Sequence, residues 1–416
     1  MTLPVSRHRA QGGALLAVAL LLLLTATVML AAARHLAHRA GRHTETTSAA
    51  TLTEAKAALL GYALSYPELH PGQGMGYLPC PDNANTGSAP GVACHARDHG
   101  ALGRFPYRTL GLPIPDDGRG HCLWYAVAGS FKHSPKALTL NWDTPGQFEI
   151  VDTAGRTLGG AEYSAIAVLL APGPALPGQT RPPAASTTGA QRCPGSASTA
   201  ADLPAFLDRA YDTDITRDTL IVHGLPGSDA NDIAAWLTTT DVFDLLRLRP
   251  DFSAMLDDVL DTAAEALQAK LTSLDFIAAQ ADTLVDTRTH GRLPAGAAFG
   301  IDSADTYDNW RDQLRFVVCT DGSACLTATL ADSAASPAAA APETCRALIL
   351  FGGERRRDGT PQRRRTATER ADPAQYLEGD NLTSFTTGTG DYSGFRHYAV
   401  IDRHQPASED ILRCLP

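Results

Sequence analysis

Residues Ala14 to Ala33 (ALLAVALLLLLTATVMLAAA) carry no charged side chain over 20 positions. At about 1.5 Å of rise per residue, such a helix spans roughly 30 Å, the thickness of a bilayer's hydrocarbon core. A secretory signal has a shorter apolar run, of about 7–15 residues, although the Ala31-Ala32-Ala33 end also fits a signal-peptidase site. An uncut segment of this kind makes the N-terminus a membrane anchor and leaves the rest of the chain to fold as a body on one side.

Residues 1–42 hold five Arg (Arg7, Arg9, Arg34, Arg39 and Arg42) and no acid, whereas the remaining chain carries 30 basic against 45 acidic residues, for a net charge of −10 overall. A body this acidic is unlike a general nucleic-acid binder, and no specific nucleic-acid binding is expected. Arginines flank both ends of the apolar segment, so the positive-inside rule alone does not orient it. The eight cysteines do: Cys80, Cys94, Cys122, Cys193, Cys319, Cys325, Cys345 and Cys414 all follow the segment. None forms Cys-x-x-Cys or a zinc-like Cys/His spacing. Disulfides in an oxidising compartment are the reading, which puts the body outside the cytoplasm.

Helical patterning continues beyond the apolar segment. Leu52, Ala55, Leu59, Ala63 and Tyr66 recur at near-heptad spacing, with Glu54 and Lys56 on other faces. Pro67 is expected to end the pattern. One helix over 14–66, half in lipid and half amphipathic, can pack beside copies of itself, with Val18, Leu52 and Leu59 as the expected bundle positions.

A basic leader ending in Gln11-Gly12-Gly13, then an apolar helix running into an amphipathic one, resembles the type IV pilin and pseudopilin family. The resemblance extends into the body: Ala58 to Tyr62; Leu78-Pro79-Cys80-Pro81-Asp82; Gly103 to Pro113; Leu123 to Val127; Val168 to Pro174; and Tyr376-Leu377-Glu378-Gly379-Asp380-Asn381. It covers about half of the chain, in islands. It implies cleavage by a prepilin peptidase after Gly12 or Gly13, with Ala14 the first mature residue. Major pilins carry a Glu at the fifth mature position, which is Val18 here, or Ala17 if the count starts at Gly13. A subunit with no neighbour ahead of it needs no such Glu, and an unpaired charge in lipid is costly. The departure therefore favours a tip or minor subunit.

The expected fold class is α+β: the long transmembrane helix, then a pilin-like antiparallel β-sheet head with either a helical insertion or a second pilin-like unit. Strands are predicted over Leu123–Val127, Phe148–Val151, Tyr163–Ala171, Asp218–His223, Gln313–Cys319, Ala347–Gly352 and Arg396–Ile401. Residues 172–202 and 331–343, rich in Pro, Ala, Ser and Thr, read as loops. Helices are expected from Ser228 or Asp229 towards Arg247 and over 251–286, with Leu256, Leu260, Ala264, Leu267, Leu271 and Leu274 in helical register. Two echoes point to the second unit: Gly291-Arg292-Leu293-Pro294 resembles Gly76 to Pro79, and Trp310, Leu314, Phe316 and Val317 resemble Leu123 to Val127. The expected division is leader 1–13, helix 14–66, first part of the head 67–227, helical region 228–290 and second β-rich part 291–416.

Candidate sites are few. Cys319-Thr-Asp-Gly-Ser-Ala-Cys325 reads as strand, turn, strand; a three-residue loop sets the two cysteines opposite each other, at disulfide range. Cys80 and Cys94, flanking an Asn/Gly-rich loop, are the second expected pair, and the other four cysteines allow three connectivities. Asp82, Asn83 and Asn85 before Gly87 offer hard oxygens suited to calcium, the one cofactor considered, although the strict calcium-loop spacing fails and the same residues build ordinary turns. Arg355-Arg356-Arg357 and Arg363-Arg364-Arg365 flank Asp358-Gly359 and form a basic loop able to meet phosphates or an acidic partner. No nucleophile elbow, zinc-protease motif or phosphate loop occurs, and His223 alone makes no active site. The expected role is a structural subunit rather than an enzyme, single-pass in the inner membrane with a periplasmic head. Its expected partners are other pilin or pseudopilin subunits and prepilin peptidase. The alternative is a membrane-anchored extracytoplasmic binding protein or adhesin.

Overall fold

The computed structural model describes residues 10–159, 164–182, 193–225, 229–285, 287–301, 305–339, 341–356, 361–400 and 410–416. The first element, α1 (Ala10–Leu69), is one continuous helix of 60 residues, about 90 Å long. It passes unbroken through Arg39-Ala40-Gly41. It also runs past Pro67, which was expected to stop it. A proline removes the N–H that would bond four residues back. Here the deserted carbonyl of Ala63 accepts instead from the Gly76 N–H at 3.2 Å. The last turn thus continues without a stranded acceptor.

The first sheet has seven strands: β1 (Gly100–Arg104), β2 (Trp124–Val127), β3 (Phe148–Val151), β4 (Ala165–Ala171), β5 (Asp214–Ile215), β6 (Thr219–Val222) and β7 (Ile233–Thr238). Its centre is antiparallel, β1-β2-β4-β7, while β6 pairs with β3 in parallel. Helix α2 (Thr199–Phe206) lies within the segment 172–202 and just beyond it, which was read as loop. The stretch expected to be helical from Ser228 or Asp229 instead begins with β7, and only α3 (Thr239–Leu246) is helical there. Thr238 makes the switch: its hydroxyl caps the Asp241 N–H, and the Asp241 carboxylate accepts from the Thr238 N–H, a capping box.

The second half repeats the plan. Helix α4 (Pro250–Lys270) and the short α5 (Leu274–Ala279) replace the single helix expected over 251–286, because the sheet resumes at β8 (Ala281–Val285). Strands β9 (Arg288–Arg292), β10 (Leu314–Cys319), β11 (Leu326–Ser333), β12 (Ser336–Ala339), β13 (Glu343–Cys345), β14 (Ala347–Phe351), β15 (Asp391–His397) and β16 (Ile411–Leu415) complete a nine-stranded sheet. The segment 331–343 is therefore largely strand, and the strand expected over Arg396–Ile401 lies earlier, ending at His397. Helices α6 (Gly296–Phe299), α7 (Asp305–Trp310), α8 (Ala367–Ala371) and α9 (Gly379–Thr387) fill the connections. Neither sheet is purely antiparallel, since β11 and β15 also pair in parallel.

The two centres match strand by strand. Trp124 faces Arg104 on one side and Leu170 on the other; Arg315 faces Arg292 and Leu350. Beyond them, Leu170 pairs with Ala234 and Leu350 with Leu412. So β1-β2-β4-β7 and β9-β10-β14-β16 are equivalent antiparallel sets, and Gly103-Arg104-Phe105-Pro106 corresponds to Gly291-Arg292-Leu293-Pro294. The helices follow: α1 packs on β4 and β7, and α4 on their counterparts β14 and β16. The helical region 228–290 is thus no separate block. It supplies the last central strand of the first unit and the helix of the second.

All eight cysteines are paired, two bridges to each unit: Cys80–Cys94 and Cys122–Cys193, then Cys319–Cys325 and Cys345–Cys414. An aromatic cluster joins the units. Trp142 meets Trp310 edge-on at 4.6 Å between centroids and also contacts Phe252, Phe351 and Tyr398. Such rings bury large areas and prefer this offset or edge geometry.

Candidate functional site

The first half of α1 carries an apolar segment, Ala19–Leu36, that stands clear of the rest of the chain. It is long and apolar enough to cross a membrane. Its two threonines are satisfied within the helix: the Thr25 and Thr27 hydroxyls donate to the carbonyls of Leu22 and Leu24 at 2.9 and 2.8 Å. That removes free donors from a stretch where unmet hydrogen bonds are costly. Gly12, Gly13, Ala14 and Val18 lie in the first turns of α1, while leader residues 1–9 are outside the described residues.

The head meets α1 only from its middle onwards. Ser48 donates to the Asp117 carbonyl at 2.5 Å and Thr51 to that of Asp116 at 2.9 Å. Leu52, Ala55, Leu59, Ala63 and Tyr66 are then all buried. This corrects the expectation for Leu52 and Leu59. Their stripe serves the chain's own first sheet and α3, so neither side chain is open to a neighbouring helix.

The Asp82 loop is closed on itself. One Asp82 carboxylate oxygen accepts from Ala84 N–H and the Thr86 hydroxyl, and the other from Gly87 N–H at 2.6 Å. The Asn85 amide donates to the carbonyls of Cys193 and Ser196, and Asn83 faces solvent. These three side chains do not converge as a calcium cage. Among the described residues no cluster of three or more His, Cys, Asp or Glu has metal-binding geometry.

The basic loop is divided rather than offered as one surface. Arg364 is 2% exposed. Its guanidinium reaches Asp143 at 2.9 Å, Gln313 at 2.6 Å and the Gly353 carbonyl at 2.9 Å. Arg355 also pairs with Asp143, at 3.0 Å. Tyr376 lies beneath both Arg315 and Arg364, whose guanidinium carbons are 4.1 and 4.3 Å from its ring centroid. Burial draws the Arg315 guanidinium down to about 10 and pushes the Tyr376 phenol up to about 12. Arg363 and Arg365 are exposed, Arg356 lines a cavity, and Arg357 lies outside the described residues. Sequence reading missed Asp143, the acid that holds these arginines, because nothing local marks it.

His223 is structural, its ring nitrogen bonded to the backbone of Ala234. Asp232 is the unusual acid of the first unit: burial, then the nearby Asp208, raise it to about 7. Its oxygens accept from the N–H groups of Gly173 and Asp208, which makes it part of a loop clasp and not an open site. No family model, curated protein or solved structure matches this chain.

Proposed function

We propose that this chain is a minor or tip pilin-like subunit. Its N-terminal helix enters a type IV pilus or type II secretion pseudopilus, and its two-unit head stays outside the inner membrane. The observation that carries this reading is the division of α1: Ala19–Leu36 is bare while the stripe Leu52, Ala55, Leu59, Ala63 and Tyr66 is sunk in the head. A bare apolar rod rigidly continuous with a head suits insertion into a helical bundle. The second unit adds to the argument. Its helix α4 has only 21 residues and no apolar extension, so one chain brings two head units but a single bundle helix. Val18, in place of a carboxylate, fits a position with no subunit ahead. Polymerisation is then the activity, and the chain does no covalent chemistry of its own.

N-terminal mass mapping of the protein from its native membrane tests this. A mature N-terminus at Gly13 or Ala14, with the apolar helix retained, is expected. A start at Arg34 would refute the reading and leave a secreted protein. The second reading, an anchored binding protein or adhesin, is favoured by an open cavity on the second unit; an intact Met1 with no filament-associated partners would select it.

A further inference from the structure

The two units differ in charge at one equivalent position. In the first, Arg104 faces Trp124 across β1 and β2 and lies 4.7 Å from its ring centroid. Its guanidinium donates to Asp202 of α2 at 2.8 Å, and both side chains are buried. The corresponding pair in the second unit is Arg292 and Arg315. Like charges directly opposite on a sheet repel. Among the described residues neither has a buried acid for a partner. Arg292 reaches Asp282 at 3.3 Å, with the two side chains 45% and 39% exposed. Arg315 gives its Nη donors to the carbonyls of Asp312, Leu314 and Arg370.

Beside this pair the structure is open. A cleft of about 390 Å³ lies between the units, within the usual range of small-molecule sites, ~300–1,000 Å³. A further hollow of about 300 Å³ shares Arg292, Arg311 and Asp312 with it. Four arginines line the cleft (Arg292, Arg311, Arg364 and Arg370) against two acids, Asp143 and Asp312. Asp143 is already held by Arg355 and Arg364. Asp312 meets Arg370 at 3.6 Å, where the arginine is 39% exposed. The Arg311 guanidinium makes no hydrogen bond or ion pair among the described residues. The unbonded nitrogens of Arg311 and Arg370 are not buried, unlike Arg315 Nε. Donors that remain in reach of solvent thus gather on one wall, in a protein that is acidic overall.

The occupant follows from the walls. The excess of arginine repels a cation. A bare inorganic anion would leave the cleft's apolar surface, at Leu138, Pro145 and Ala367, uncovered. A carboxylate is what the equivalent Arg104 takes in the first unit, and its two oxygens match the guanidinium fork. We propose that this cleft binds a small organic carboxylate, its oxygens on Arg292, Arg311 and Arg370 and its carbon skeleton against Leu138 and Ala367.

The test is titration calorimetry on the full chain in lipid nanodiscs at low ionic strength. The probes are succinate, citrate, glucuronate and benzoate, with inorganic phosphate and methylammonium as controls. At least one acid should bind. Its affinity should fall about tenfold or more in Arg292→Gln and in Arg311→Gln, as for loss of a hydrogen bond to a charged group. Arg363→Gln removes an exposed arginine outside the cleft and should leave it unchanged. Binding of no acid, binding of phosphate or methylammonium as tight as that of the best acid, or equal effects of all three variants would overturn the proposal. Arg311 lies outside the sheet, in the turn before β10, so Arg311→Gln decides the matter even if Arg292→Gln disturbs β9.

Discussion

Asp143 and Arg364 stand 221 residues apart in sequence and 2.9 Å apart in the fold, with side chains 8% and 1% exposed. Asp143 belongs to the first unit and Arg364 to the second, so this buried pair is a clasp between them. The same carboxylate takes Arg355 and Gln313. Removing one partner of a buried pair leaves an uncompensated charge. Asp143→Ala should therefore destabilise the protein by ~3–5 kcal/mol. Urea unfolding, followed by the fluorescence of Trp142 and Trp310, would measure it. An unchanged midpoint would mean that the clasp adds nothing beyond the other contacts between the units, such as Arg247–Glu354 and the aromatic cluster.

The four bridges should not contribute equally. Cys345–Cys414 spans a sequence separation of 69, against 6 for Cys319–Cys325. A cross-link restricts the unfolded chain more as the loop it closes lengthens. Paired serine substitutions should cost about 4 kcal/mol at the first bridge and about 2 kcal/mol at the second. Thermal unfolding of the two variants would rank them, and a larger loss at Cys319–Cys325 would contradict the loop argument.

What could be read in the sequence followed the strength of its local pattern. Strands β2, β4, β10 and β14 are short apolar runs buried throughout, so their interiors announced them. Strand β7 did not: IAAWLT is alanine-rich and adjoins a helix, and only its pairing with β4 makes it strand. Strands β1 and β9 read GALGR and RTHGR, with glycines that are poor in strand preference and little apolar patterning to mark them. For that reason the Gly291–Pro294 echo was matched to Gly76–Pro79 rather than to Gly103–Pro106, its partner in the register. The local Cys319–Cys325 hairpin was legible from spacing. The Asp143 clasp was not, because a contact over such a separation leaves no local trace.

Stability should fall as pH rises through the range in which Asp232 titrates. Its folded-state pKa is raised, to about 7, by burial and by Asp208. Between about pH 4 and pH 7 the native state therefore binds a proton that the unfolded state has lost. The stabilisation is complete below the unfolded value, declines towards neutrality and is flat above it. Asp232→Asn should remove this slope and gain on the order of 1–4 kcal/mol relative to wild type at pH 8. Chemical unfolding of both proteins from pH 4 to 8 isolates this carboxyl from the others. Parallel profiles would show that Asp232 titrates alike in both states.

The division of labour along α1 gives the last prediction. Leu59 is fully buried against the first sheet, whereas Leu22 is 64% exposed. Leu59→Ala should open a cavity and cost the head ~2–5 kcal/mol. Leu22→Ala removes no contact with the head, so head stability should stay within about 0.5 kcal/mol of wild type. If the bare segment is a bundle helix, several alanine or glycine substitutions along Leu20 to Leu24 should lower recovery of the chain in filaments while leaving the head's unfolding midpoint unchanged. Leu59→Ala should lower both. Thermal unfolding in detergent and quantification of the sheared filament fraction separate the effects. Loss of head stability in the Leu20 to Leu24 variants would show that the lower helix also supports the head, and would remove the division on which the filament reading rests.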